Sequence, residues 1–299
     1  MGYFSSRLGH GSRSRTVGLL TVLTLATGFT HNARAAEEPS TPTNNTLFES
    51  EFSLAVGGFF PWIESNMSLG PSSGGSGASI DTEKDLGLSD NTASWWVNFD
   101  WRFLPRQQLQ VEWFQLNRSG SKAAERDYTY GDLGVSVGAN TTSKADLDIG
   151  RVTYGYSVIR DKKLDVALLA GVHIITAKGS ITASGAISVN GVPATGGTYT
   201  ESSSTYTFPL PHVGASLTWK VAPRWTTQFT ALAFYMQVGD YDGSLVQLDA
   251  TAGYQITKNF GLGAGLTYFD LRLNGTTQRV EAGYNFQFFG PAVFGYATF

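Results

Sequence analysis

Two histidines, His173 and His212, are the residues whose type most invites chemistry once the first 35 residues are set aside. Each lies in a segment of alternating character. In 164–184, Leu164, Val166, Leu168, Val172 and Ile174 share one side and leave Asp165 and His173 on the other. In 199–221, Val213, Ala215, Leu217, Trp219 and Val221 oppose His212, Ser216 and Lys220. Successive side chains of a strand point to opposite faces, so both rings belong to the polar face. A hairpin centred near residue 192 predicts the two histidines roughly opposite each other, with Cβ atoms about 4.5–5.5 Å apart. Such a pair suits a metal ion or an acid–base dyad. The plainer readings are two histidines in a polar network, or a register slip that separates them.

Hydrolytic chemistry asks for more than this. A serine–histidine pair needs the two groups in reach and a third to orient the base. Ile175, not serine, stands two positions after His173, and no matching local motif occurs. A rim-type protease would need histidine and aspartate at the outer edge, whereas both histidines are read as deep. There is no cysteine, which excludes thiol nucleophiles and thiolate metal sites. No phosphate loop, dinucleotide fingerprint or zinc motif appears. The expectation is a non-enzyme without metal or cofactor.

Other charges fall on the same polar faces as the histidines: Glu49, Glu51, Asp100, Arg102, Glu112, Arg151, Asp165, Lys220, Asp249, Arg279 and Glu281. Buried opposite charges are expected to pair, because an isolated buried ion is costly. Five residues break this polar rule: Phe59, Phe114, Leu116, Leu232 and Phe234. They predict either a small apolar pocket or a β-bulge that shifts the face by one residue. Asp81, Glu83, Asp85 and Asp90 form an acidic loop that reads as solvated, or as a holder of divalent cations that bridge lipopolysaccharide.

The elements that position these residues all have a period of two. Trp95, Val97, Phe99, Trp101 and Phe103 face away from Asn98, Asp100 and Arg102. Val246–Ile256 and Phe260–Tyr268 repeat the pattern, and Val280–Phe288 sets Val280, Ala282, Tyr284, Phe286 and Phe288 against Glu281, Gly283, Asn285 and Gln287. The apolar faces carry no charge, as a wall facing lipid requires. These runs match the roughly 9–11 tilted residues that cross a bilayer. Short turns at 105–106, 160–163, 222–224 and 258–259 alternate with Gly/Ser/Thr-rich stretches at 68–91, 128–141 and 186–198. The predicted strands are 47–67, 92–104, 107–127, 142–160, 164–184, 199–221, 225–237, 244–256, 260–273 and 278–299. The fold class expected is all-β: a closed, antiparallel, up-and-down transmembrane barrel of about ten strands, with eight or twelve also open. Trp101, Phe103, Trp219, Trp225 and Phe260 would ring one membrane interface, and Trp62, Trp95 and Tyr235 the other. Ten strands leave an interior filled by side chains rather than an open pore.

Arg7, Arg13 and Arg15, the apolar stretch Val17–Phe29 and Ala33-Arg34-Ala35 match a secretory signal peptide. The chain divides into a signal peptide at 1–35, a periplasmic tail at 36–46 and the barrel at 47–299. Cleavage near Ala35 removes four arginines and no acid, leaving 17 basic against 24 acidic residues. That balance disfavours nucleic-acid binding. No later apolar run is long enough for a spanning helix.

The chain ends Ala292-Val293-Phe294-Gly295-Tyr296-Ala297-Thr298-Phe299. This resembles the terminal-strand signal that barrel-assembly machinery recognises in outer-membrane proteins, with Phe299 as its aromatic end. In size and layout the chain resembles small Gram-negative barrels of the OmpW/AlkL type. The segments Ser79–Leu88, Asn117–Gly120, Tyr154–Ser157 and Gly290-Pro291 resemble a group of uncharacterised Gram-negative outer-membrane proteins. The resemblance implies location in the outer membrane, contact with its lipid and lipopolysaccharide, and passage of small hydrophobic molecules. It departs from the OmpW/AlkL type in strand count, ten here against eight there. The function expected is a narrow channel or passive route for small solutes, apolar ones included. The alternative is a sealed structural or surface-recognition barrel, and a lipid-modifying enzyme stands third. The oligomeric state is left open.

Overall fold

The computed structural model describes residues 46–71, 78–130, 132–194, 197–202, 205–276 and 280–299. The expected signal peptide and nearly all of the tail lie outside them. The described chain forms strands and turns. Thirteen of the strands belong to one antiparallel sheet: β1 (Phe52–Phe59), β2 (Trp62–Pro71), β3 (Ala78–Asp81), β4 (Ser94–Leu104), β5 (Gln107–Ala123), β8 (Asn140–Arg160), β9 (Leu164–Ser184), β12 (Thr198–Ser202), β13 (Tyr206–Ala222), β14 (Trp225–Val238), β15 (Tyr241–Gln255), β16 (Phe260–Thr276) and β17 (Val280–Thr298). A second sheet holds β6 (Tyr128–Tyr130), β7 (Leu133–Val135), β10 (Ile187–Val189) and β11 (Val192–Ala194), in the order β11-β10-β7-β6. The strand count therefore exceeds the ten read from periodicity.

The first predicted strand begins later than expected and is broken. Residues 46–50 form a turn, β1 starts at Phe52, and Phe60-Pro61 interrupts the run before β2. β1 pairs with β4 along one edge and with β17 along the other, and β17 continues onto β2. Register shifts occur at Trp101/Leu104, Ser157/Ile159 and Lys220/Ala222. All three lie at the end of the sheet that carries the short turns, here the turn end. One of those turns is held by Asp161, whose carboxylate accepts the N–H groups of Lys163 and Leu164 at 2.8 Å each. These bonds hold it below the usual carboxylate range.

At the opposite, loop end, two stretches expected as plain loops fold into the second sheet. An Asn190-Gly191 turn with both φ angles positive joins β10 to β11, which is the preferred geometry of a two-residue hairpin. Leu133, Val135, Ile181, Ala183, Ile187, Leu86 and Leu88 are buried together beneath it.

The sheet has an exposed apolar face and a buried face. Leu54, Val56, Leu168, Val213, Phe229, Leu248, Leu262, Leu266 and Val293 are exposed. Rings flank this band, with Trp225 and Tyr235 about ten residues apart on β14, and Phe289 on β17 likewise spaced from Phe299 just after it, the span a tilted strand needs to cross hydrocarbon. The predicted interface rings Trp62, Trp95, Trp101, Trp219, Trp225, Tyr235 and Phe260 are all exposed, and Phe103 is half-buried. The last strand reverses the expectation. Phe286 and Phe288 are 1% exposed and face inward, with Tyr284 half-buried beside them, while Gln287 and Phe289 face out. Alternation alone cannot decide which face meets lipid when the interior is itself aromatic.

Candidate functional site

The buried face is stratified from the turn end to the loop end. Each long strand contributes one residue per layer, because every second side chain points inward. Along β5 the inward series is Gln108, Gln110, Glu112, Phe114, Leu116 and Arg118. It passes from polar, through charged, to apolar and back to charged.

At the turn end, Asp165 takes Arg102 at 2.8 Å and also contacts Arg160. Arg102 donates to Gln108 and Ser157 as well. The turn at 46–50 seats here. The Arg160 guanidinium lies 5.5 Å from the centre of the Phe48 ring and donates to the Phe48 carbonyl, and Lys220 pairs with Glu49 at 2.6 Å. Thr46, Phe48 and Ser50 are buried. The expected strand start at Leu47 is thus a latch in the mouth of the sheet. Glu51 is exposed.

In the middle layer Arg151 bridges Glu112 and Asp249 at 3.2 Å each. Gln247 donates to Asp249 through its amide nitrogen and, through Oε1, accepts from His173 Nε2 across 2.8 Å. His212 meets Thr153 at 3.0 Å. The two histidines are brought together as predicted, with ring centres 4.6 Å apart, edge to face. They are diagonal rather than opposite: His173 pairs with Leu210, and His212 with Gly171. They are 0% and 3% exposed, and neither has a carboxylate partner among the described residues. No group of three or more metal-ligating side chains occurs among the described residues.

Above them lies an aromatic layer. Phe59, Phe114, Phe269 and Phe288 are packed ring against ring, with Phe269 stacked on Phe288 at 4.9 Å. Leu116, Ile149, Ile175, Leu210, Leu245 and Phe286 complete it, with Phe234 half-buried at its side. Four of the five residues predicted to form an apolar pocket therefore meet, as packed side chains. Leu232 packs instead with Ala167 and Leu169. Each of the five is in register with at least one neighbouring strand and no register shift falls at any of them, so the bulge reading does not apply.

The acidic loop closes the top. Glu83 pairs with Arg118 and accepts from Ser65, Asp85 pairs with Arg126, and Asp81 with Lys84 at 2.7 Å. Three of the four predicted loop acids are thus matched to cations of the chain itself, while Asp90 is exposed and accepts from Asn91. Gly87, at φ 68°, comes so close to Gly120 that a side chain there would strike its carbonyl. Of the predicted interior charges, Arg279 lies outside the described residues, as does the side chain of Glu281.

One feature of the wall lay outside the sequence reading. β13 pairs with β9 from Tyr206 to Trp219, but with β14 only from Val213 onward. β14 pairs with β15 along its whole length. The β13 edge at 206–212 and the β14 edge at 234–238 thus have no ladder between them. Pro209 and Pro211 explain it. Pairing with β9 is continuous through both, so their missing N–H groups face β14 and remove two donors from that edge. The alternate prolines were the available signal. The inner-face residues Phe208 and Met236 are exposed along this break, with Phe234 half-buried.

No known family model matches the sequence, and no curated protein matches it. Among solved structures, the outer-membrane protease OmpT from Escherichia coli is similar with a TM-score of 0.50 and 10% identity, over 83% of this chain and 97% of that one. This chain therefore has the fold of an outer-membrane β-barrel protein. OprG from Pseudomonas aeruginosa is similar with a TM-score of 0.35 and 9% identity over 84% of this chain and 97% of that one. The toluene transporter TodX from Pseudomonas putida gives 0.32 and 9% over 86% and 92%.

Proposed function

We propose that the chain is an outer-membrane barrel closed by ten strands, with β1 and β2 acting as one, that gives small apolar molecules a sideways route through its wall. The ring of pairings from β1 through β4, β5, β8, β9 and β13 to β17 and back to β1 supports closure. Only a closed sheet satisfies its backbone in lipid, and the exposed band between two aromatic rings supports insertion. In this reading the turn end faces the periplasm and Phe299, at the end of β17, serves the assembly machinery.

The observation that carries the function is the break between β13 and β14. The axial path is filled by the aromatic layer, so a solute does not follow the axis. The break stands level with Tyr235, at the membrane interface, and exposes Phe208 and Met236 beside the buried apolar layer. A molecule entering there meets apolar surface on the inside and lipid on the outside. OmpT is a protease, but a cleaving site needs an accessible base and an oriented nucleophile. His173 and His212 are buried, and among the described residues neither has a carboxylate to orient it. A sealed surface-recognition barrel is the second reading, supported by the ordered second sheet.

The test restores the ladder. Pro209→Thr with Pro211→Thr returns both N–H donors. Uptake of a fluorescent hydrophobic tracer by cells, and amide exchange of 206–212 in purified protein, would both slow. Tracer uptake equal in cells with the wild type, the double variant and no barrel would overturn the route and leave the sealed reading.

A further inference from the structure

Two joined cavities lie between the turn-end latch and the aromatic layer, of about 70 and 50 Å³. Each exceeds the roughly 10–15 Å³ a single water needs. They share Leu47, Ser53, Asp100, Gln110, Gln228 and Thr251 as lining, so they form one space in two chambers.

Its polar atoms are unevenly matched. Asp100 Oδ1, Asn98 Oδ1 and Asp165 Oδ1 are buried without a hydrogen-bond partner in the protein. All three are acceptors, and their residues line the space. Asp165 is 3% exposed and already holds two arginines on its other oxygen. Glu112 and Asp249 share Arg151. Asp100 differs, since its hydrogen bonds come from the neutral side chains of Ser53 at 3.4 Å, Asn98 at 2.9 Å and Gln110, with Arg151 near it only as a more distant charge. It is an interior carboxylate with no ion pair among the described residues. The single unpartnered donor nearby, Arg151 Nε, belongs to a side chain already committed to two acids.

We infer that this space is a binding site for one small monovalent cation, held by the free oxygens of Asp100 and Asn98. Bare acceptors need donors, and water could supply those. Water leaves Asp100 with only the more distant Arg151 and Arg102 for compensation, however, and those guanidiniums are already committed to Glu112, Asp249 and Asp165; an incompletely compensated buried charge is costly. The oxygen-only set suits a hard cation rather than a soft one. Among the described residues no three acids are placed to share one ion, which suits a single charge better than a divalent ion. The volume admits the ion with part of its water shell. Entry is from the turn end, past Leu47 and Phe48. The site is independent of the sideways route, which lies beyond the aromatic layer.

The experiment uses the mature barrel in detergent micelles. Its unfolding midpoint is followed by the heat-dependent gel shift in sodium, potassium or choline chloride at one ionic strength. Choline is too large for the chamber. The expected result is a midpoint about 2–4 °C higher in sodium or potassium than in choline, saturating with concentration. Asp100→Asn keeps the shape and loses that difference, while Glu49→Gln, outside the chamber, keeps it. If the asparagine variant does not fold, thallium(I) soaked into crystals of the wild type reads the site by anomalous scattering beside Asp100. Equal midpoints in all three salts, or no thallium peak there, would overturn the site and leave water alone in the space. Neither result bears on tracer uptake.

Discussion

A Cβ on Gly171 would stand 2.8 Å from the Nε2 of His212, so the bare backbone of β9 makes the space in which the β13 histidine lies. The same glycine faces the Val152 carbonyl at only 2.1 Å from that Cβ position. A side chain here collides with backbone on one side and with a buried ring on the other. Gly171→Val is expected to cost about 1–3 kcal/mol by overpacking and to part the histidines. Urea unfolding in micelles, followed by tryptophan fluorescence, measures it. A wild-type midpoint would show that the wall yields at this point.

Arg151 is shared by Glu112 and Asp249, and its removal would leave two buried carboxylates facing each other. Arg151→Met is expected to cost roughly 3–5 kcal/mol, the usual penalty for stranding a buried charge. The triple variant that adds Glu112→Gln and Asp249→Asn should recover most of it. If the single and triple variants unfold alike, the layer is wetter than its burial indicates.

These residues mark what the sequence could carry. The inward placement of Asp100, Arg102, Glu112, Arg151, Asp165, His173, His212, Lys220 and Asp249 follows from a period of two, which β-geometry enforces locally. Which residues then meet depends on register, and register is set by pairing between strands far apart in sequence. That is why the histidines came out diagonal. The reversed face of β17 has another cause. Phe286 and Phe288 are as apolar as a lipid-facing pair, and their choice between lipid and the aromatic interior depends on Phe59, Phe114 and Phe269 from other strands. The second sheet was legible in part, since Asn190-Gly191 is a hairpin signal inside a stretch otherwise dominated by Gly, Ser and Thr.

The aromatic layer is expected to seal the barrel axis. Phe288 stacks on Phe269 and meets Phe59 and Phe114 edge to face. Phe288→Ala removes the ring that all three touch. The expected cost is about 3–5 kcal/mol for a fully buried phenylalanine. In planar bilayers the wild type should carry no steady ionic current, and Phe114→Ala with Phe288→Ala should carry one. Steady current through the wild type would mean that the layer parts on its own.

Among the described residues the turn at 46–50 is held at the mouth chiefly by Phe48 and Glu49, and it is expected to open before the rest of the interior. Phe48 contributes a buried ring and a partner for Arg160, while Glu49 contributes one ion pair to Lys220. The ion pair is partly exposed and adds little, so the ring should dominate. The chain has no cysteine, so Ser53→Cys, on the buried face beneath the turn, gives a single reporter. A water-soluble thiol reagent should reach it slowly in an otherwise wild-type barrel. Adding Phe48→Ala should speed labelling about tenfold or more, since about 1.4 kcal/mol lost from the closed state raises the open fraction tenfold. Adding Glu49→Gln instead should change it less than about threefold. Equal rates with and without Phe48→Ala would mean that the reagent reaches Cys-substituted Ser53 by another path, and that the turn does not close the mouth.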